Sequence, residues 1–187
     1  MNHEDLLDAI DTKRTRLRCV RHSDAAVVAQ LMTPSVSRWL ASWPTTVTEQ
    51  FVAARILEAR EAVAAGLALH FLIERRTDGA VMGWVRVSRV ETEPRRGDLS
   101  DWLNDAYHGN GYMSEAARAA VSAGFEKLAL DSIESGAQPE NSASFAVMRR
   151  LGMERSGERV VWASARGRDE LCVFYSITRE IFWQHPH

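Results

Sequence analysis

Gly109-Asn-Gly111 stands directly before an amphipathic run that starts at about Ser114 and reaches Leu128. A glycine loop that opens a helix offers an anion several backbone N–H groups and the positive end of the helix dipole. Upstream, Asp98 and Asp101 provide carboxylates; downstream, Asn141 and Ser144 provide an amide and a hydroxyl. An anion cradle, a carboxylate base and a hydroxyl acid are the parts required to pass an acyl group from a thioester to an amine. That reaction needs a neutral amine, and an α-amino group has a pKa of about 7.7–8.0, so a nearby base helps. It also needs a positioned carbonyl, donors aimed at the tetrahedral oxyanion, and a proton for the departing thiolate. Two other phosphate sites are excluded: no G-x-x-x-x-G-K-[ST] pattern occurs, and Ser114 stands where a dinucleotide fingerprint needs a third small residue.

The elements that must position these residues follow from periodicity and punctuation. Arg16 to Val20 reads as a first strand. His22-Ser-Asp24 caps a helix through Ala25, Val28, Leu31 and Met32. Val36, Trp39, Leu40 and Trp43 recur at helical spacing up to Pro44, and Thr46 or Thr48 caps a longer helix from Glu49 to about Ala65, closed by Gly66. Ala68 to Arg75 and Ala80 to Val90 form two strands around the hairpin signal Thr77-Asp78-Gly79. Glu91 to Gly97 is a charged turn, and Asp98 to Asn104 is a short strand in which Asp98 and Asp101 point to opposite faces unless a bulge changes the phase. Ser132 to Ala137 is a strand that leads to Asn141 at the head of a second helix. Glu154 to Ala163 and Leu171 to Thr178 close the chain as a strand pair, with a polar, mobile loop (Ser164 to Asp169) between them. Residues 1 to 11 form a polar lead with a short helix through Leu6, Leu7 and Ile10.

The totals bound the class. A chain of 187 residues with 45% hydrophobic and 26% charged residues is an ordinary globular domain. No apolar run approaches the roughly 20 residues of a membrane helix, and the acidic start lacks an apolar signal region, so a cytoplasmic protein is expected. Two cysteines, Cys19 and Cys172, read as buried thiols. A net charge of −2 gives no general attraction to nucleic acid or lipid. The six histidines are scattered, and no metal site is implied.

Taken together, Asp98-Leu-Ser-Asp-Trp-Leu-Asn104, His108-Gly-Asn-Gly-Tyr-Met-Ser-Glu-Ala116, Asn141-x-x-Ser144 and Arg149-Arg-Leu-Gly-Met153 resemble the GNAT superfamily of N-acetyltransferases. Within it they are similar to the RimJ/RimL-like, ribosomal-protein N-terminal branch, whose opening strand Thr12 to Arg18 also resembles. The resemblance implies the α/β (α+β) acyl-CoA N-acyltransferase fold, a mixed central sheet flanked by helices in one domain over 12–182. It implies acetyl-CoA as cofactor, held by Trp102, Leu103 and Asn104, by His108, Gly109, Asn110, Gly111, Tyr112 and Met113, and by Asn141. Asp98 falls where the branch carries a glutamate base, one methylene longer, so a bridging water is expected; Asp101 is the other candidate. Ser144 falls where the branch places a hydroxyl facing the sulfur. Trp39 and Trp43 lie in the segment that lines the acceptor groove of related enzymes. His108 and Met113 depart from the residues that the wider superfamily favours, and both leave backbone donors intact. Asn141 also suits a helix cap, His108 a plain loop residue, and the two tryptophans ordinary packing. Arg166 and Arg168 read as solvated. The implied activity is direct transfer to a primary amine, a protein or peptide N-terminus above all, in a ternary complex of a monomer or homodimer. The alternatives are a small-molecule (antibiotic or polyamine) N-acetyltransferase and a catalytically silent acyl-CoA-binding module.

Overall fold

Alternating apolar residues build one eight-stranded sheet, and its two faces collect different cores. The structure, a computed structural model, describes residues 8–184. Strands β1 (Ile10–Asp11), β2 (Thr15–Cys19), β3 (Ala68–Arg75), β4 (Val81–Val90), β5 (Glu93–Leu103), β6 (Ser132–Ala137), β7 (Glu154–Ala163) and β8 (Arg168–Thr178) lie in the order β1-β2-β3-β4-β5-β6-β8-β7. All neighbours are antiparallel except β5 and β6. One face packs Leu17, Phe71, Val85, Leu99 and Leu103 against helix α4 (Tyr112–Lys127). The other packs Leu72, Trp84 and Trp102 against α1 (Ala25–Leu31), α2 (Pro34–Ser37) and α3 (Glu49–Ala64). Helix α4 presents Ala116, Ala120, Val121 and Phe125, all buried, and sits directly on β4. A Cβ at Gly124 would stand 2.8 Å from Val87 Cγ1, so only glycine permits that approach.

The feature that matters for function is the parting of β5 and β6. They pair over Arg96, Gly97 and Asp98 opposite Ser132, Ile133 and Glu134, and no further. Beyond that point β5 stays with β4 as far as Leu103, while β6 stays with β8 as far as Ala137. At the apex, the buried Ser135 hydroxyl donates to the Leu99 carbonyl at 2.9 Å. Helix α5 (Ser142–Arg150) follows β6, capped by Asn141, whose Oδ1 accepts from Ser144 N at 3.2 Å.

Several expectations are corrected. The register between β4 and β5 runs unbroken from Gly83 opposite Leu103 to Arg89 opposite Gly97, so no bulge rephases β5 and Asp98 and Asp101 face opposite ways. The charged turn is much shorter, because β5 starts at Glu93. Of the helical spacing over 35–43, only Pro34–Ser37 is helix. Ile10 pairs with Leu17 as strand, and Leu6 and Leu7 lie outside the described residues. Helix α6 (Arg179–Gln184), which buries Phe182 against Phe125, was not anticipated. The Ser164–Gly167 turn is not free: Ala165 N donates to Ala41 O at 3.0 Å, and Arg166 donates to Leu40 O at 3.1 Å and to Glu170 at 2.7 Å. No helix among the described residues is long and apolar enough to cross a membrane.

Removing the apex bond leaves the Leu99 carbonyl buried without its partner. Ser135→Ala is expected to lower stability by about 1–3 kcal/mol, read as a fall in urea midpoint at unchanged slope.

Candidate active site

A cavity of about 1120 Å³ passes through the opening between β5 and β6. Its lining comes from both faces of the sheet: Asp98, Ser100 and Trp102 on the side of α1–α3, and Leu99, Asp101, Leu103 and Met113 on the side of α4. Asn141, Ser144, His108, Gly109, Gly111, Tyr112, Trp39 and Trp43 also line it. One space therefore joins the glycine loop, both candidate carboxylates, the candidate hydroxyl and the tryptophan segment.

The cradle is built from main chain. Gly109 and Gly111 have φ of 76° and 74°, a left-handed conformation that glycine adopts without strain. Gly111 is the N-cap of α4, no side chain caps that end, and the first helical bond runs from Glu115 N to Gly111 O. The N–H groups of Tyr112, Met113 and Ser114 are thus left for a ligand. Glu115 fixes this end. Its carboxylate accepts from Thr12 Oγ1, Arg14 N and Arg14 Nε, and Arg14 Nη1 also donates to Asn110 O at 2.8 Å. Burial works to raise the Glu115 carboxyl, and the Thr12 and Arg14 bonds outweigh it, so the group stays ionised and below its ordinary value. Its charge is matched within the loop and does not repel an anion. Arg150, which donates to Ser114 Oγ at 3.3 Å, adds a cation beside the cradle. The donor set and the size of the cavity fit the diphosphate and arm of coenzyme A.

Three expected ligand side chains do other work. Asn104 donates to Leu31 O at 2.8 Å and accepts from Ala106 N, and it does not line the cavity. Asn110 turns its amide onto His108 O at 2.9 Å and likewise lies outside the lining. His108 shares a 2.8 Å hydrogen bond between Nε2 and Leu103 O, and so anchors the loop to the end of β5. Asn141 lines the cavity but uses its carbonyl as the cap, leaving only its N–H₂ for a ligand. No other described side chain engages the Ser144 hydroxyl.

Residues 14–154 match the family model described as "Acetyltransferase (GNAT) domain", three-quarters of the chain. The chain belongs to the GNAT acetyltransferase family. Over 163 residues it is 26% identical to the N-acetyltransferase p20 of Bacillus licheniformis, covering 87% of this chain and 91% of that protein. Among solved structures it is similar to Mycobacterium smegmatis RimJ in complex with CoA-disulfide, with TM-score 0.80 and 22% identity over 97% of this chain and 90% of that one. The ribosomal-protein-S5-alanine acetyltransferase of Vibrio fischeri gives TM-score 0.76 at 21% identity, covering 96% and 100%. GNAT enzymes take acetyl from acetyl-CoA, so this chain is an acetyltransferase of the mixed-sheet fold that its motifs resemble.

Within this GNAT site the two carboxylates sit in unlike surroundings. Asp98 accepts from Arg86 Nη2 at 2.6 Å. Asp101 has no ion pair or hydrogen bond to another described residue, and burial alone pushes its carboxyl up to about 6. The half of the cavity on the α1–α3 side has aromatic walls. Trp43 meets Phe51, Trp84 and Trp102 edge to face at 5.6, 6.2 and 5.9 Å, so it is packed as well as lining. Trp39 lies under Arg38, with 4.7 Å between guanidinium and ring. The tie from the Ser164–Gly167 turn to Leu40 and Ala41 roofs this half. Arg166, expected in solvent, is instead held by Glu170, whose carboxyl it keeps down at about 2.

Sequence reasoning missed His70 and Arg86. They stand directly opposite each other on β3 and β4, and both line the cavity. Burial, aided by Arg86 and Arg55, pushes the His70 imidazole down to about 3, so it is neutral. The only available signal was the strand alternation of Arg86 with Ser88 and Trp84, which does not name a cross-strand partner.

The raised carboxyl of Asp101 has a signed consequence for stability. Below about pH 4 it is protonated in both folded and unfolded chains and contributes nothing. As pH rises through about 6, ionisation is harder in the folded state, so stability falls and the loss then stays constant. Asp101→Asn is expected to be more stable than the parent at pH 8 by about 1–3 kcal/mol, with the difference gone at pH 3.5, measured by urea unfolding at both pH values.

Proposed function

We propose that this enzyme acetylates the α-amine of a protein or peptide by direct transfer from acetyl-CoA within a ternary complex. The observation that carries the reading is the single cavity through the β5–β6 opening, with an anion cradle at one end and a roofed, tryptophan-walled chamber at the other. A roofed chamber suits the end of an extended chain.

The α4 N–H groups of Tyr112, Met113 and Ser114 would hold the diphosphate, with Arg150 beside them, and the N–H₂ of Asn141 the pantetheine arm. When bound, the cofactor supplies a thioester carbon open to attack. Asp98 receives the incoming ammonium at the apex of the opening. Asp98 already accepts from Arg86, and the proton passes through water to Asp101, whose carboxyl burial raises toward the amine's pKa. The Ser144 hydroxyl would donate a hydrogen bond to the departing sulfur and relay to it the proton that the attacking nitrogen loses, so the serine ends neutral and a thiol of pKa about 8.5 leaves.

Release of free thiol from acetyl-CoA with a panel of peptides and amines tests the reading; binding of the cofactor without turnover on any amine would replace it with the silent acyl-CoA-binding module. Ser144→Ala should lower kcat about tenfold to a hundredfold with cofactor affinity kept. Asp101→Asn should lower kcat/KM about a hundredfold and remove the steep limb of the pH profile below about 6, leaving the shallower amine limb. Should Asp98→Asn rather than Asp101→Asn remove that limb, the two roles are exchanged.

A further inference from the structure

We propose that Arg86 and Asp98 act together to read an α-amino carbonyl unit, so the preferred acceptor carries a carbonyl oxygen beside its amine. The inference deepens the peptide reading above and rests on it.

The floor of the acceptor half is a small polar grid. On one face of the sheet, His70 stands opposite Arg86, Arg86 opposite Ser100, and Ser88 opposite Asp98. All five line the cavity. Within this grid Arg86 Nη2 reaches diagonally to Asp98 Oδ2 at 2.6 Å. That single bond leaves one oxygen of Asp98 and Nη1 of Arg86 without a partner among the described residues, while Arg86 Nε is buried with no acceptor. The two side chains are 38% and 39% exposed and open to the cavity.

An ammonium alone would meet the free oxygen of Asp98 and leave the guanidinium facing it unanswered. A peptide N-terminus answers both, because its carbonyl oxygen lies two carbons from the amine and can accept from Nη1 while the ammonium donates to Oδ1. The ion pair thus becomes a fork in which each charge keeps one bond to its neighbour and gains one to the acceptor. No nearby group competes. His70 is neutral, Arg55 donates to Ser42 O and pairs with Glu58, Arg89 donates to Gly66 O and Pro94 O, and Glu170 is held by Arg166. A site whose guanidinium is aimed at a carbonyl discriminates against the analogue lacking it, because that donor then gains no bond from the acceptor.

The test compares alaninamide with sec-butylamine, which place the same methyl-bearing carbon next to the amine and differ in the carbonyl group. For the parent, Arg86→Gln and Arg86→Lys, kcat/KM is measured on both amines by thiol release. Differences in amine basicity cancel in each variant-to-parent ratio. Loss of Arg86 also unpairs Asp98, which affects both amines alike. The expected result is that Arg86→Gln lowers kcat/KM at least about tenfold more for alaninamide than for sec-butylamine, chiefly through KM. Arg86→Lys, which keeps the charge but not the fork and serves if the Gln variant does not fold, should shift the same ratio in the same direction. Equal losses on the two amines would overturn the carbonyl role while leaving peptide acetylation intact. Absence of thiol release from the parent on every amine and peptide would remove the peptide reading itself, and this inference with it.

Discussion

Everything functional in this molecule depends on two parallel strands ceasing to pair after three residues. Backbone groups at the centre of a sheet are normally satisfied by their neighbours, so an opening there is costly unless something else answers them. Here Ser135 answers one group, the Leu99 carbonyl, at the apex. Beyond Asp98 the β5 edge that faces β6 has no strand partner there, and its residues line the cavity. The gap is stable because each strand stays bonded on its outer side, β5 to β4 and β6 to β8. The gap thus joins the cavity space on the two faces of the sheet, with the glycine loop on one side and the tryptophan segment on the other.

That geometry also gives two aspartates distinct chemistry from one strand. Three residues apart on an unbroken strand, Asp98 and Asp101 must fall on opposite faces, and the faces differ. The α1–α3 face carries Arg86 from β4 and Arg55 from α3, and its carboxylate is paired with Arg86. The α4 face is lined by Leu99, Leu103 and Met113, so its carboxylate loses water without gaining a counter-ion. Environment thus gives side chains of the same type unlike surroundings, which is the basis of the separate roles proposed for them.

The parts of the site that the sequence reveals are those built from local chain. The glycine loop, the start of α4 within two residues, β6 and the Asn141 cap depend on adjacent residues, and glycine conformation and capping leave local signatures. What was not legible depends on pairing across the sheet. Nothing near Arg86 in the chain announces Asp98 as its partner, and nothing near Leu40 announces Arg166, because both contacts arise from register and from the fold's closure. The side-chain bonds of Asn104 and His108 were not legible for a related reason. Their types suit ligand binding, yet each satisfies a carbonyl that the chain's own turn leaves open, and the choice is visible only once the turn is formed. The same holds for Ser164–Gly167, polar in sequence and tied down in space.

On the proposed reading, acceptor choice would be a property of the sheet floor more than of the surrounding loops. Loops over a cavity set its width, and here the tie between the β7–β8 turn and Ala41 fixes that width. A fixed width admits many slender amines alike. Discrimination among them requires directional groups that do not move, and cross-strand neighbours held by ladder hydrogen bonds meet that requirement better than loop side chains. His70 contributes without touching charge: kept neutral by burial beside Arg86, it lets the guanidinium lie against the floor without a second cation repelling it. Replacing it with a permanently charged residue would set like charges directly opposite across the strands, which is destabilising in any sheet and here would tilt Arg86 away from Asp98. The arrangement proposed to select the acceptor thus rests on the same cross-strand register that holds β3, β4 and β5 together.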